Sequence, residues 1–384
     1  MMNIKGTIGQ KTTERLVELE LAKEEGTKIV GYYPSEYMPE ELVLAAGMIP
    51  YGLLKAGDYT PILHSGVVVP RWQDTFCRAQ IGYIVMKDPH YMLPDLYVDA
   101  WSHFGASLVI DNYDFLMPDM ETLRIEVPHV KNEAGLKFYI KRMCRLKEKL
   151  EEVSGNKITE ESLRAAIKVC NRERELLKEI ALLRKQERVP ISGLEFMLLN
   201  HATYILDKEF MNGFLEEVLE DLKKKKPEDI SINTPRVMVV GAALGMADYQ
   251  VFELVEDMGG QVVIEQFSEA MKDFYDNVDI EGDVDQLISN IGDRYFMKKV
   301  CNFAFRPASE RQDFIIQLAK DYKVQGMIWY QQLYQDNADF DYMILEKKVR
   351  EGLKIPMLKL YTEYDSSEKA ALVTRIETFL KTLR

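Results

Sequence analysis

The residues of this sequence with most chemistry to offer are a cysteine and a histidine placed at the ends of apolar stretches. Cys77 stands in the run Asp74, Thr75, Phe76, Cys77, Arg78, ahead of an apolar helical stretch. A neighbouring guanidinium and a helix N-terminus together lower a thiol's pKa, and thiolate is the form that binds metal. The same residue also reads as a small buried hydrophobe. His103 follows the apolar strand Leu96–Ala100, in the run Trp101, Ser102, His103, Phe104, Gly105. A side chain there faces the crevice in which open α/β sheets bind ligands, or else caps the helix that follows. Gln331 to Asp336 after the strand Met327–Tyr330, and Glu363 and Asp365 after Met357–Tyr361, are polar loops at the same kind of strand end. Their carboxylates suit acid or base work, or are merely solvated. Gly241 and Gly245 also follow a strand, but Gly-Ala-Ala-Leu-Gly is neither a dinucleotide fingerprint nor a phosphate loop, and a tight turn explains it.

The four cysteines, Cys77, Cys144, Cys170 and Cys301, are far apart and form no CxxC pair, which removes zinc-finger and ferredoxin spacing. A net charge of −13 speaks against a nucleic-acid backbone as partner, since such binding draws on clustered Lys and Arg. Local basic patches such as Lys223 to Lys226 remain, and these read as the solvated end of a helix. No stretch of about 18 uncharged apolar residues occurs, and Met1 to Gln10 lacks the layout of a secretory signal. A cytoplasmic protein without a membrane partner is expected, and disulfides are not.

These candidates must be positioned by alternating strands and helices. Lys28–Tyr33 reads as a strand, Pro39–Ala46 as a helix with Pro39 in its first turn, and Ile49–Leu54 as a strand. The rhythm returns at Leu96–Ala100, the helical stretch Phe104–Phe115 and the strand Leu123–Val127. An N-terminal surface helix, Thr12–Glu25, precedes it. From Ala134 to about Lys226 the pattern changes to long charged helices, broken at Ser154 and Gly155, with Thr159 capping a helix that opens on Glu160 and Glu161. After a polar linker, Lys223–Thr234, β-α-β alternation resumes in Val237–Val240, Ala247–Met258 and Val262–Glu265. It continues through Met327–Tyr330, Tyr342–Glu351 and Met357–Tyr361 to a final helix, Ser367–Leu383. At 384 residues the chain is too long for one core. The expected fold is α/β: two Rossmann- or flavodoxin-like parallel-sheet lobes, residues 1–133 and 235–384, joined by a helical segment, 134–234.

Several stretches together resemble the family of 2-hydroxyacyl-CoA dehydratase component D and the benzoyl-CoA reductase B and C subunits. The clearest is GYYPSEYMPEELVLAAGMIP, Gly31 to Pro50, with its strand, its Pro-Glu-Glu helix start and its Ala-Ala-Gly turn. Others are Pro94-Asp95-Leu96, SGNKITEESLRAAIKVCNRER in the helical middle, Gln325-Gly326, and the closing IPMLKLYTEYD. The resemblance spans nearly the whole chain. It implies a heterodimer with a homologous second subunit, an acyl-CoA substrate, and an ATP-dependent iron–sulfur activator that delivers low-potential electrons. In the dehydratases a ketyl radical loses the 2-hydroxyl and then a β-proton to give an enoyl-CoA; in the reductases an aromatic ring is reduced.

Members of that family typically hold a 4Fe-4S cluster through three cysteines, and a flavin is possible in the complex. Carried over by resemblance, the first cysteine falls on Cys77 and is kept, the second falls on His103, and the third on Gln335. Imidazole ligates iron in some centres, but a glutamine amide is a poor ligand for such a cluster. Two readings follow. Cys77, His103 and Cys301 form an unusual metal site, or the subunit has lost its cluster and supports a partner that keeps one. The resemblance further makes Ser35, Glu36, Ser102 and His103 the catalytic candidates, and places Tyr33, Trp101 and Gln335 beside the cofactor. Phe76, Trp101, Trp329 and Tyr330 would supply apolar walls. A stand-alone CoA-ester binding protein is the remaining alternative.

Overall fold

The computed structural model describes every residue except Met1, Glu36, Pro227, Asp229, Ser231, Asn233 and residues 301–304. Among the described residues eight strands form two four-stranded sheets, parallel throughout. The first sheet is built from β1 (Ile29–Tyr32), β2 (Ile49–Gly52), β3 (Leu96–Trp101) and β4 (Glu121–Glu126), in the order β2-β1-β3-β4. The second is built from β5 (Arg236–Ala243), β6 (Gln261–Glu269), β7 (Gly326–Gln332) and β8 (Met357–Thr362), in the order β6-β5-β7-β8. The two orders are the same, so the chain makes one topology twice. In each sheet the winding reverses between its first and third strands, and ligands of open α/β sheets lie at that reversal, beyond the carboxyl ends of the strands.

Parallel strands need helical crossovers, and the helices supply them. The first half has α1 (Ile4–Glu24), α2 (Glu40–Ala45), α3 (Tyr59–Ser65), α4 (Thr75–Val85), α5 (Pro89–Met92) and α6 (Phe104–Leu116). The middle consists of α7 (Glu133–Ser154), α8 (Glu160–Leu183), α9 (Gly193–Ile205) and α10 (Lys208–Lys224). The second half has α11 (Gln250–Asp257), α12 (Val284–Gly292) running into a π-helical turn at Asp293–Lys298, α13 (Ser309–Asp321), α14 (Asp336–Gly352) and α15 (Lys369–Thr382).

Local signals set several of these ends. Gly155, at φ 73°, closes α7, and a capping box between Thr159 and Ser162 opens α8. Pro39 is the N-cap of α2 rather than a residue of its first turn. Helix α1 begins well before Thr12, because the Asn3 side chain accepts from Gly6 N and starts it there. β5 and β6 are buried along their whole length, as a sheet covered on both faces requires. One large cluster of buried side chains runs through the first sheet, the helical middle and the inner face of the second sheet, and a smaller cluster covers the second sheet's other face.

The two sheets meet through the loops at their carboxyl ends. Met246 N donates to Leu54 O at 2.7 Å, Ala56 N to Met246 O at 2.8 Å, and Ala270 N to Pro34 O at 2.9 Å. Ser35 pairs antiparallel with Glu269 in an isolated bridge, and Thr75 N donates to Leu333 O at 3.2 Å. Gly245 lies in this seam because a Cβ there would stand 2.2 Å from Ala56 Cβ. The turn at Gly241 and Gly245 is therefore a packing feature; at Gly241 a Cβ would meet Tyr330 O at 2.2 Å.

Candidate functional site

The seam collects a group of buried polar side chains from both halves of the chain. Asp74 caps α4, accepting from Phe76 N at 2.8 Å and Cys77 N at 3.1 Å, which fixes Cys77 in the first turn. The Cys77 Sγ lies 3.4 Å from the Tyr33 hydroxyl, just beyond β1. Tyr33 in turn donates to Glu269 Oε2 at 2.8 Å, at the end of β6. The other oxygen, Glu269 Oε1, is 2.7 Å from His103 Nε2, too bent for a straight hydrogen bond but close enough for an ion pair. Gln335, before α14, approaches Asp74 from the second half. Cys77, His103 and Gln335 are thus gathered at one place by strand ends of both sheets.

His103 occupies the N-cap position of α6 but its side chain makes no cap bond, so the capping role considered for it is not the one it has. Gly105 follows it because a Cβ there would be 2.8 Å from Cys77 Sγ and 3.0 Å from His103 Cε1. Burial alone would lower the His103 pKa, but the Glu269 carboxylate outweighs it, with Asp74 and Asp99 adding, and the value rises to about 9. Burial pushes Asp99 up to about 7, against a lowering by His103. Both Asp99 carboxylate oxygens are buried without a hydrogen-bond partner.

The low-pKa thiol expected at Cys77 is not found. Burial, then Asp74 and Glu269, push its pKa well up. The Arg78 guanidinium that was to lower it points away, held by Glu363 Oε1 at 2.9 Å and by the carbonyls of Ile62 and Arg71 at 3.1 Å each. Ser35 is buried with its hydroxyl committed to Ala100 O at 2.9 Å, while Ser102 Oγ is buried without a partner. Neither hydroxyl lines the open cleft beside His103. Trp101 is 37% exposed at the end of β3, whereas Phe76, Trp329 and Tyr330 are core residues. Glu36 and Cys301 lie outside the described residues.

Beside His103 a cleft of about 610 Å³ opens between the starts of α6, α13 and α14, lined by His103, Phe104, His129, Arg306, Asn337 and Phe340 among others. A slightly larger cavity, about 640 Å³, lies under α1 next to His201 and Tyr249. There the imidazole is already satisfied on both sides: His201 Nδ1 meets Tyr249 OH at 2.7 Å and Nε2 meets Ala270 O at 2.8 Å. The cleft at His103 is therefore the better candidate for binding.

The chemistry of the donors does not suit a 4Fe-4S cluster. Among the described residues Cys77 is the only thiol at the seam, the His103 Nε2 is turned to Glu269, and Gln335 offers an amide. No group of three or more His, Cys, Asp or Glu side chains among the described residues is arranged to hold a metal ion.

Sequence reasoning missed Glu269 and Asp99. Both had a signal: Glu269 ends a buried parallel strand, the position that singled out His103, and Asp99 interrupts the apolar run of β3.

Comparison with known proteins gives the family. Residues 36–383 match the family model described as 2-hydroxyglutaryl-CoA dehydratase, D-component. The chain belongs to this family, the D-component of 2-hydroxyacyl-CoA dehydratase or benzoyl-CoA reductase type. It is 25% identical over 367 residues to the (R)-phenyllactyl-CoA dehydratase beta subunit of Clostridium sporogenes, covering 93% of this chain and 92% of that one. It is 23% identical over 365 residues to the C subunit of the benzoyl-CoA reductase of Thauera aromatica, with 93% and 91% covered. With the beta subunit of the (R)-2-hydroxyglutaryl-CoA dehydratase of Acidaminococcus fermentans it shares 24% identity over 375 residues, 94% of each chain. Among the described residues no helix is long and apolar enough to cross a membrane.

Proposed function

We propose that this chain is one subunit of a heteromeric enzyme acting on an acyl-CoA thioester, of dehydratase or aromatic-reductase type, with the acyl portion held in the cleft beside His103. The observation that carries the reading is the position of that cleft, which opens where the carboxyl ends of both sheets face each other. His103, kept protonated by Glu269, is suited to donate a hydrogen bond to a thioester carbonyl. Phe104, Phe340 and Ile344 give the cleft apolar sides, which would exclude water once a partner covers them.

A partner is part of the proposal. Phe104 is 64% and Phe340 69% exposed at the cleft mouth, a cost that a second, homologous subunit laid over it would remove. In such a complex an ATP-dependent iron–sulfur activator would supply the electrons, and the partner would hold the centre that receives them. This chain's own residues bind, orient and desolvate.

Co-expression with a homologous subunit tests the reading. A stable complex that binds 2-hydroxyacyl-CoA or benzoyl-CoA is expected, and Phe340→Glu should abolish the complex while leaving this chain folded. A chain that neither pairs with such a subunit nor binds any CoA thioester overturns it.

A further inference from the structure

The place where the resemblance puts relatives' cluster ligands is occupied here by side chains in contact with one another, through hydrogen bonds and one ion pair. From Cys77 Sγ the path runs to the Tyr33 hydroxyl at 3.4 Å, on to Glu269 Oε2 at 2.8 Å, and from Glu269 Oε1 to His103 Nε2 at 2.7 Å. Three members of this path belong to the first half of the chain, and Glu269 alone comes from the second. We infer that Glu269 has replaced the cluster in this chain: its carboxylate, wedged between Tyr33 and His103, latches the two sheets together and shuts the pocket that metal would need.

Three further observations support the latch. The Glu269 backbone is itself fixed in the seam, pairing with Ser35 and accepting from Leu244 N at 3.3 Å, so the carboxylate is held by a rigid support. The charge balance opposes an anionic cluster, because the Glu269 carboxylate already matches the one imidazole at this buried place and Asp74 and Asp99 add further acids beside it. The packing behind it is close, since a Cβ at Gly105 would stand 2.8 Å from Cys77 Sγ and 3.0 Å from His103 Cε1. The inference uses family membership only to say where relatives' ligands fall, and it stands or fails independently of the proposed substrate and partner.

The test is iron uptake by the whole chain. After anaerobic reconstitution with iron and sulfide, the wild-type protein should remain colourless and free of stoichiometric iron. His103→Cys with Gln335→Cys restores thiols at the mapped positions but leaves the Glu269 carboxylate in the pocket, still held by Tyr33, and should take up little. Adding Glu269→Ala to that pair should raise the content to about four irons per chain, that of one 4Fe-4S cluster. Stoichiometric iron in the wild type, or equal iron in the double and triple variants, overturns the inference. Hydrogen exchange guards against a variant that fails to fold. Glu269→Gln, which keeps a partner for Tyr33 but loses the charge, should speed exchange of the amides around Ser35 and Ala270 by roughly tenfold while the helical middle is unchanged. Unchanged exchange at those amides also overturns it. Failure to pair with a homologous subunit would count against the proposed function alone and leave these outcomes as they are.

Discussion

Two buried polar regions lie close together in this molecule and are built on opposite principles. The first surrounds the Pro-Glu-Glu start of α2. Glu40 pairs with Lys272 and with Lys208 at 2.8 Å, and Lys208 also reaches Glu173 at 2.9 Å. Glu41 pairs with Arg174 and accepts from Tyr295 OH at 2.9 Å. Acids and bases balance, every one of these carboxylates has partners, and the network ties α2 to α8, α10 and the strand-end loop at Lys272. The second region is the seam at Cys77, where three acids face one imidazole and several polar atoms, among them both oxygens of Asp99 and Ser102 Oγ, lack a partner. A balanced network reads as a clamp whose work is done once the chain is folded. An unbalanced one stores a cost that folding alone does not explain, and such places tend to be functional.

The largest effect expected from this contrast is at Glu41. Glu41→Ala leaves Arg174 buried without its carboxylate, and breaking a buried pair from one side typically costs about 3–5 kcal/mol. Urea denaturation should show a loss of that size. A loss below about 1 kcal/mol would place Glu41 with ordinary surface pairs and remove the distinction between the regions.

The two regions should also respond to pH with opposite signs. Burial raises the Glu40 pKa, but Lys208 and Lys272 outweigh it and hold the group at about 2, below the ordinary 4.5. Its stabilisation is complete above the ordinary value and is lost as pH falls toward 2. Asp99 runs the other way. Its pKa is raised from 3.8 to about 7, so the folded state is favoured below the lower value and loses stability as pH rises through that window. Asp99→Asn, which keeps the shape without the charge, should therefore stabilise the protein at pH 8 by about 2 kcal/mol and flatten its stability profile between those values. A variant that is destabilised at pH 8 would show that the Asp99 charge has a partner in solution.

How much of this was legible beforehand follows the same division. The strands of the described residues were readable, the central ones because covered parallel strands are continuous apolar runs and the edge strands β4 and β8 by their alternation, and the breaks at Gly155 and Thr159 were readable because caps are local chemistry. The helices Val284–Gly292 and Ser309–Asp321 were not, since both are short and rich in polar residues and their packing partners are remote in sequence. At the site, Cys77, His103 and Gln335 were found, and the structure brings them together. What the sequence hid was the direction of the interactions. Arg78 beside Cys77 suggested a lowered thiol pKa, but its guanidinium is spent on Glu363, which lies 285 positions along the chain. Glu269 was invisible as a partner for the same reason, standing 236 positions from Tyr33.

The smallest effect expected concerns Ser35, which stands between the two regions. Its backbone pairs with Glu269 on the seam side, and its side chain borders the small cavity of about 30 Å³ that Glu40, Glu173 and Arg174 also line. Its hydroxyl donates to Ala100 O at 2.9 Å, joining the loop after β1 to the end of β3 across the switch point of the first sheet. A hydroxyl so committed is not free to act on a substrate, yet it holds in register the two loops that carry Tyr33 and His103. Ser35→Ala should cost about 1 kcal/mol, the net worth of one buried hydrogen bond, measured by thermal denaturation. Binding of a CoA thioester to the complex should be unchanged, since the Glu269 contacts to Tyr33 and His103 do not depend on that hydroxyl. Loss of binding at unchanged stability would instead make Ser35 a contact to substrate and move it from the clamp to the site.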